Sequence, residues 1–358
     1  MNPLLIIDTS KIRNNAVILR DLLKVKGIDI VGVTKVVQGE PLIAKVLLEA
    51  GLTWIGDSRV ENLSKIKDSG VQAKLLQIRS PQITQAGLSV RYADAALISD
   101  VKIAKALANE ARNISKKFGV IVMIELGDLR EGIMPEDAVG FVRDLVKSGV
   151  EFLGIGTNLG CYGGVIPTRD KMESLVSVKD TLTDSGFDVP VVSGGATDTL
   201  MLFENGSVTG INQLRIGEAI MFGNDTTRNR EIPYLKRDTM LLRAEIIEIR
   251  KKPSLPYGEI GRDAFGNVPI IEDRGSRLRA IVAIGKQDVE IGSLKPVDPG
   301  IKVLGGSGDH LILDIQDSEF RYEPGSVVEF VPGYQSVLRL MLSPSVTKEF
   351  REFSLSKA

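Results

Sequence analysis

An alternation of short apolar runs with helical patterns, repeated eight times, constrains this chain more than any other feature. The runs are Ile30–Lys35, Thr53–Asp57, Lys74–Arg79, Ala96–Ser99, Val120–Leu126, Phe152–Asn158, Val189–Gly195 and Ile211–Arg215. Helical patterns lie between them, for example at Pro41–Leu52, Val101–Lys117, Pro135–Ser148 and Asp170–Ser185. Apolar residues on both sides of a run imply burial on both faces, as in a parallel sheet. Strict alternation over roughly 190 residues implies parallel strands joined by right-handed crossovers. Eight such units most simply close into a TIM-type (β/α)8 barrel. An open, doubly wound sheet is the competing arrangement, but no G-x-G-x-x-G follows the first strand.

The flanking segments read differently. Met1–Asp8 carries a short apolar run with no basic region ahead of it, so it is expected to be a strand and not a signal peptide. Ser10 is a plausible N-cap for a helix with Ile12, Val17, Leu19, Leu22 and Leu23 on its buried stripe. Charged, Pro-containing Arg228–Arg237 reads as a linker. Short β-rich runs follow at 242–249, 279–284, 301–304, 311–315 and 327–331, separated by turn signals. The expected α/β organisation is therefore a barrel over 1–228 followed by a mostly β domain over 229–358.

Composition narrows the function classes. The 358 residues carry a net charge of −1 and no basic block, which argues against nucleic acid and anionic membranes as partners. No apolar run approaches the roughly 20 residues of a membrane span. The one cysteine, Cys161, excludes an internal disulfide, fits a reducing cytoplasm and reads as a small buried residue. The one histidine, His310, and the lack of paired-Cys or H-E-x-x-H spacing make a metal centre an unattractive reading.

In a barrel of this kind, side chains at the C-terminal ends of the strands converge on one face. Here that face collects Lys35, Asp57, Arg59, Arg79, Arg130, Asn158, Ser193, Thr197 and Arg215. Lys35 ends its strand abruptly and has two readings, a solvated terminator or a partly desolvated amine serving as nucleophile or base. Ser193-Gly194-Gly195-Ala196-Thr197 and Arg215-Ile216-Gly217-Glu218-Ala219 follow the last two strands, where barrels commonly bind phosphate. Small residues there let backbone N–H groups approach an anion. Together an amine and a phosphate cradle share one face.

This combination resembles the alanine racemase fold, and more particularly its ornithine/lysine racemase branch. The resemblance rests on Val31-Gly32-Val33-Thr34-Lys35, Gly56-Asp57-Ser58-Arg59-Val60-Glu61-Asn62 and Gly127-Asp128-Leu129-Arg130-Glu131-Gly132. It continues through Gly156–Gly164, Leu214–Ala219, Asp263–Asn267, Ala283–Val289, Asp309–Asp314 and Tyr334. It implies pyridoxal 5'-phosphate, held by Lys35 as a Schiff base, and a two-base transfer of the substrate Cα proton through an external aldimine. Arg130 matches the arginine near the cofactor's phenolic oxygen and the substrate carboxylate, and Arg215 the one facing the pyridine nitrogen. Thr197, Gly217, Glu218 (through its backbone) and Tyr334 match phosphate contacts. The resemblance also implies a head-to-tail homodimer with shared active sites.

Two departures matter. Where the family places a tyrosine base in a Gly-Tyr-Ala-Asp-Gly block, this chain has Gly285-Lys286-Gln287-Asp288-Val289, and the family's barrel histidine aligns with Asn158. His310 is the leading substitute for the second base, because an imidazole titrates ordinarily near pH 6.5 and shuttles protons both ways. Lys286 is the alternative. Asp309 and Asp288 are candidates for a substrate side-chain ammonium, or ordinary turn aspartates. The reading that follows is a racemase of a basic amino acid, ornithine before lysine. A decarboxylase of this fold and a non-catalytic pyridoxal phosphate carrier are the competing readings.

Overall fold

The computed structural model describes residues 2–206, 208–268 and 270–352. The first apolar run is β1 (Leu4–Asp8). The next eight are β2 (Asp29–Val33), β3 (Trp54–Asp57), β4 (Lys74–Gln77), β5 (Ala95–Ile98), β6 (Gly119–Met123), β7 (Glu151–Gly156), β8 (Val191–Ser193) and β9 (Gln213–Ile216). Among the described residues these eight, all parallel, close into a barrel by pairing β9 with β2. A short antiparallel ribbon follows, β10 (Asn224–Asp225) with β11 (Arg230–Glu231).

The barrel closes because its strands are apolar on both faces. Val31, Leu76, Ala95, Leu97, Ile121 and Met123 form one buried cluster, with Trp54, Ile78, Leu153 and Val191 packed against it. Helices follow the strands, and some start where a side chain accepts from the first turn. Asp100 accepts from Lys102 N at 2.6 Å ahead of Val101–Asn113, and Thr168 accepts from Lys171 N at 3.4 Å ahead of Arg169–Asp184. The first helix begins at Thr9, two residues earlier than a Ser10 cap implies, since Asp8 Oδ1 accepts from both the N–H and the hydroxyl of Ser10. Ser10 therefore lies inside the helix and is not its cap.

The remaining strands are β12 (Met240–Pro253), β13 (Ser276–Val282), β14 (Leu294–Pro296), β15 (Lys302–Gly306), β16 (Leu311–Asp314), β17 (Val327–Pro332) and β18 (Thr347–Arg351). Six of them form a sheet in the order β14-β17-β12-β13-β16-β15, with the 14-residue β12 as its spine, and β18 joins it through β1. One helix, Tyr334–Leu342, follows β17.

The chain divides into two compact units, Lys11–Arg237 and Met1–Ser10 with Asp238–Ala358. The division expected after residue 228 thus falls at 237, and β1 goes with the second unit. Two pairings explain the difference. β1 runs antiparallel to β12, with Leu4 opposite Arg243, and parallel to β18, with Leu4 opposite Thr347. The segment read as a linker is tied into the barrel unit by β11 and by Arg230, whose guanidinium bonds Glu204 at 2.6 Å.

One glycine shows how tightly the barrel closes. Gly154 has φ +141, and a Cβ there would lie 2.0 Å from Val191 O on the neighbouring strand. Gly154→Ala is expected to cost roughly 2–4 kcal/mol in denaturant unfolding, by forcing β7 away from β8. Gly140→Ala, in a helix with nothing within 4 Å of the new methyl, should be neutral or stabilising by up to about 1 kcal/mol.

Candidate active site at the barrel mouth

Lys35 opens a single 3-10 turn, Lys35–Val37, directly after β2. Its backbone is fixed from behind by fully buried Thr34, whose N–H bonds Gly56 O at 3.0 Å and whose hydroxyl bonds Asp57 Oδ2 at 2.9 Å. Asp57 in turn accepts from Asn62 Nδ2 at 2.9 Å and Arg59 N at 3.1 Å. Burial pushes its carboxyl above the usual range, and these bonds oppose that. Asp57 and Asn62 are therefore a buried scaffold beneath Lys35. Arg59 and Arg79 are exposed at the rim.

Arg215 lies in β9, beside β2, and is 4% exposed. Its guanidinium donates to Ser193 Oγ, to Thr157 O at 2.5 Å and to Asn158 Oδ1 at 3.0 Å. All three acceptors are neutral, and among the described residues Arg215 has no ion-pair partner. Burial pulls its pKa down to about 10. A buried cation without an anion is costly, so this position suits an acceptor or anion brought by a ligand.

Arg130 sits on a loop that leaves the barrel after β6 and returns beside it. Ile124 and Ile133 form a parallel bridge at its base. The return needs Gly132, where φ is +150 and a Cβ would lie 2.6 Å from Glu125 N. Asp128 pins this loop to the next one, accepting from Tyr162 N and Gly163 N at 3.0 Å each. Arg130 is engaged by both carboxylate oxygens of Glu131, through Nε and, at 2.6 Å, Nη2. Partial burial opposes its charge, but Glu131, with Asp128 nearby, holds the guanidinium above its ordinary range.

After β8 the Thr197 hydroxyl accepts from Ala219 N at 3.1 Å, joining the two small-residue loops. Gly217 packs against β2, where a Cβ would meet Val33 at 3.0 Å. Glu218 turns its side chain toward Asn224 Nδ2 and Thr226 N, each 3.0 Å away. Lys35, Arg130, Asn158, Ser193, Thr197, Arg215, Gly217 and Glu218 thus all belong to the barrel unit's strand ends and the loops after them.

The other expected residues belong to the second unit. Two turns are laced there by Lys286 N to Ser307 O at 2.8 Å and Gln287 N to Gly308 O at 3.1 Å. This brings Lys286, Asp309 and His310 together. His310 is exposed, with Ser307 Oγ 3.3 Å from its Nδ1, while Asp309 accepts from Gln287 Nε2. Lys286 Nζ lies 3.9 Å from Asp263 Oδ2 and 4.1 Å from the Phe265 ring centroid. Asp288 is not gathered with them: it is buried and accepts from Ser343 Oγ at 2.6 Å. Tyr334 is half-buried at the start of its helix.

Two expectations need correction or extension. Cys161 is exposed, in a glycine-rich loop, and not a buried residue. Glu131 and Asp198 were not anticipated as site residues. Glu131 adjoins Arg130 inside a motif already singled out, and Asp198 directly follows Thr197. Asp198 is 5% exposed, and its Oδ2 is buried with no hydrogen-bond partner among the described residues. Burial, with Asp225 nearby, raises its pKa to about 7. Among the described residues no group of three or more His, Cys, Asp or Glu is arranged to hold a metal ion.

The alanine racemase N-terminal domain model matches residues 7–225, and the chain belongs to the alanine racemase family. It is 42% identical over 350 residues to lysine racemase of Thermotoga maritima, covering 97% of this chain and 98% of that protein. It is 39% identical over 353 residues to ornithine racemase of Acetoanaerobium sticklandii, covering 98% and 99%. In fold it is similar to alanine racemase from D-cycloserine-producing Streptomyces lavendulae, with a TM-score of 0.77 and 17% identity over 99% of this chain and 98% of that one.

Asp198 yields a pH prediction. Its folded-state pKa lies above its ordinary 3.8, so the stability it lends is complete below that value and lost as pH rises through about 7. Asp198→Asn, neutral throughout, should gain in melting temperature over wild type between about pH 5 and about pH 8. An equal difference at both pH values would contradict this.

Proposed function

We propose that this protein is a pyridoxal-phosphate-dependent racemase of a basic amino acid, ornithine before lysine, acting in the cytoplasm. The observation that carries the substrate class is the similarity to lysine racemase and ornithine racemase across nearly the whole of all three chains. The barrel mouth supports the cofactor: an amine at a strand end stands beside a strand whose buried arginine has only neutral partners.

When bound, the cofactor acidifies the substrate Cα–H by delocalising the charge left behind. Lys35 would hold the cofactor, and its amine would serve as the base for one face of Cα. Arg215, positioned by Ser193, Thr157 and Asn158, would offer its positive charge to the pyridine nitrogen and so disfavour a proton there. That weakens the electron sink and favours simple proton return over decarboxylation. Arg130 receives the substrate carboxylate, while Thr197, Gly217 and Glu218, the last by its backbone, receive the phosphate with Tyr334. His310 serves as the second base and Asp309 as an acceptor for the substrate's side-chain ammonium. We infer the homodimer of the family arrangement, in which these second-unit residues serve the partner copy. Their exposed or half-buried positions support this.

Purified protein supplied with pyridoxal phosphate should convert single enantiomers of ornithine and lysine to their opposites in heavy water, with deuterium entering at Cα. Chiral chromatography and proton NMR read both. Lys35→Ala should lose conversion by about a thousandfold. Exchange with retained configuration would sink the two-base reading, an amine product with carbon dioxide would indicate a decarboxylase, and bound cofactor with no turnover would favour a carrier.

A further inference from the structure

Glu131 touches more than Arg130. Its Oε1 also accepts from Asn158 Nδ2 at 2.6 Å, while Asn158 Oδ1 accepts from Arg215 Nη2 at 3.0 Å. A continuous path therefore runs Arg130–Glu131–Asn158–Arg215 across the barrel mouth. The amide of Asn158 can lie only one way in it. A carboxylate accepts and never donates, and a guanidinium donates and never accepts. Glu131 thus compels the amide nitrogen toward itself and the amide oxygen toward Arg215. The same carboxylate holds Arg130 through two nitrogens, a geometry that fixes direction as well as distance.

We propose that Glu131 is a positioning residue that sets both arginines for the cofactor, orienting Arg130 directly and Arg215 through the Asn158 amide. The inference rests on the cofactor reading above and adds a residue to it. Glu131 is half-buried, with side-chain exposure of 25% against 37% for Arg130. Ion pairs this open to solvent contribute little to folding, so its effect belongs to the site and not to stability. Without its carboxylate, Arg130 loses its fork, Asn158 is free to turn its nitrogen toward Arg215, and a negative charge leaves the neighbourhood of two cations.

The test compares wild type, Glu131→Gln and Glu131→Asp, each loaded with pyridoxal phosphate. Thermal melting, the pH titration of the visible absorption of the lysine-bound cofactor, and kcat and KM for ornithine are measured together. Glu131→Gln is expected to melt like wild type, to titrate at lower pH because a cation has lost its anion, and to lose roughly ten- to a hundredfold in kcat/KM. Glu131→Asp, keeping the charge, should restore the titration toward wild type. A Gln variant whose titration matches wild type overturns the inference, whether or not its melting temperature falls. A wild-type protein that takes up no cofactor overturns the reading beneath it instead, and the two failures are told apart by the wild-type spectrum alone.

Discussion

Closing a parallel barrel leaves few places for polar chemistry. Each strand is buried against the filled interior on one side and against helices on the other, and Val31, Leu76, Leu97, Ile121 and Met123 show the result inside. Polar groups are affordable only where strands end and loops begin. Thr34, Asn158, Ser193 and Arg215 occupy that margin, and each is held by bonds from a neighbouring strand end. Lys35 inherits its position from this constraint, through Thr34 and Asp57 beneath it, and so does Arg215, whose hydrogen bonds go to neutral acceptors.

The barrel was legible in the sequence because its signal is local. Each β-branched run and each helical pattern is complete within some ten residues, and all eight strands lie within a few residues of their expected positions. The ends were read too long where an apolar run outlasts its ladder. Val120–Leu126 reads as one strand, but the ladder with β7 ends where Ile124 N bonds Gly156 O, and Glu125 N turns to Ile133 O of the returning loop. β1 was less legible for a different reason. Its apolar run looks like any barrel strand, and its partners, Met240–Arg243 and Thr347–Arg351, lie at the other end of the chain. Sequence periodicity contains nothing about such distant pairing. β14 and β18 escaped because they are short and carry lysine, glutamate and arginine among their apolar residues.

Site residues divided along the same line. Lys35, Arg130 and Arg215 stood out because a charge at the end of, or just beyond, an apolar strand breaks a pattern. Glu131 breaks none: an acid beside an arginine on a loop is an ordinary surface feature, and only its geometry toward Asn158 distinguishes it. Asp288 and Asp309 looked equivalent as turn aspartates, yet a single serine hydroxyl, that of Ser343, meets one of them inside the unit. Cys161 looked small enough to bury, but Gly160 takes a left-handed turn against Asp198 and Thr227 and leaves the thiol outside.

In the second unit the two residues weighed as a second base meet different surroundings. Lys286 occupies the aligned position of the family's tyrosine, but its ammonium is turned toward Asp263 and the face of Phe265, contacts that both hold a cation in place. His310 is reached from the same corner, since Ser307 N bonds His310 O at 2.8 Å and Lys286 N bonds Ser307 O. Its Nδ1 lies 3.3 Å from Ser307 Oγ, a hydroxyl that can donate or accept. The backbone lacing of the two turns supplies the rigidity that a side chain so lightly held lacks. The two candidates for that role are thus held differently among the described residues, Lys286 by a carboxylate and an aromatic face and His310 by a serine hydroxyl.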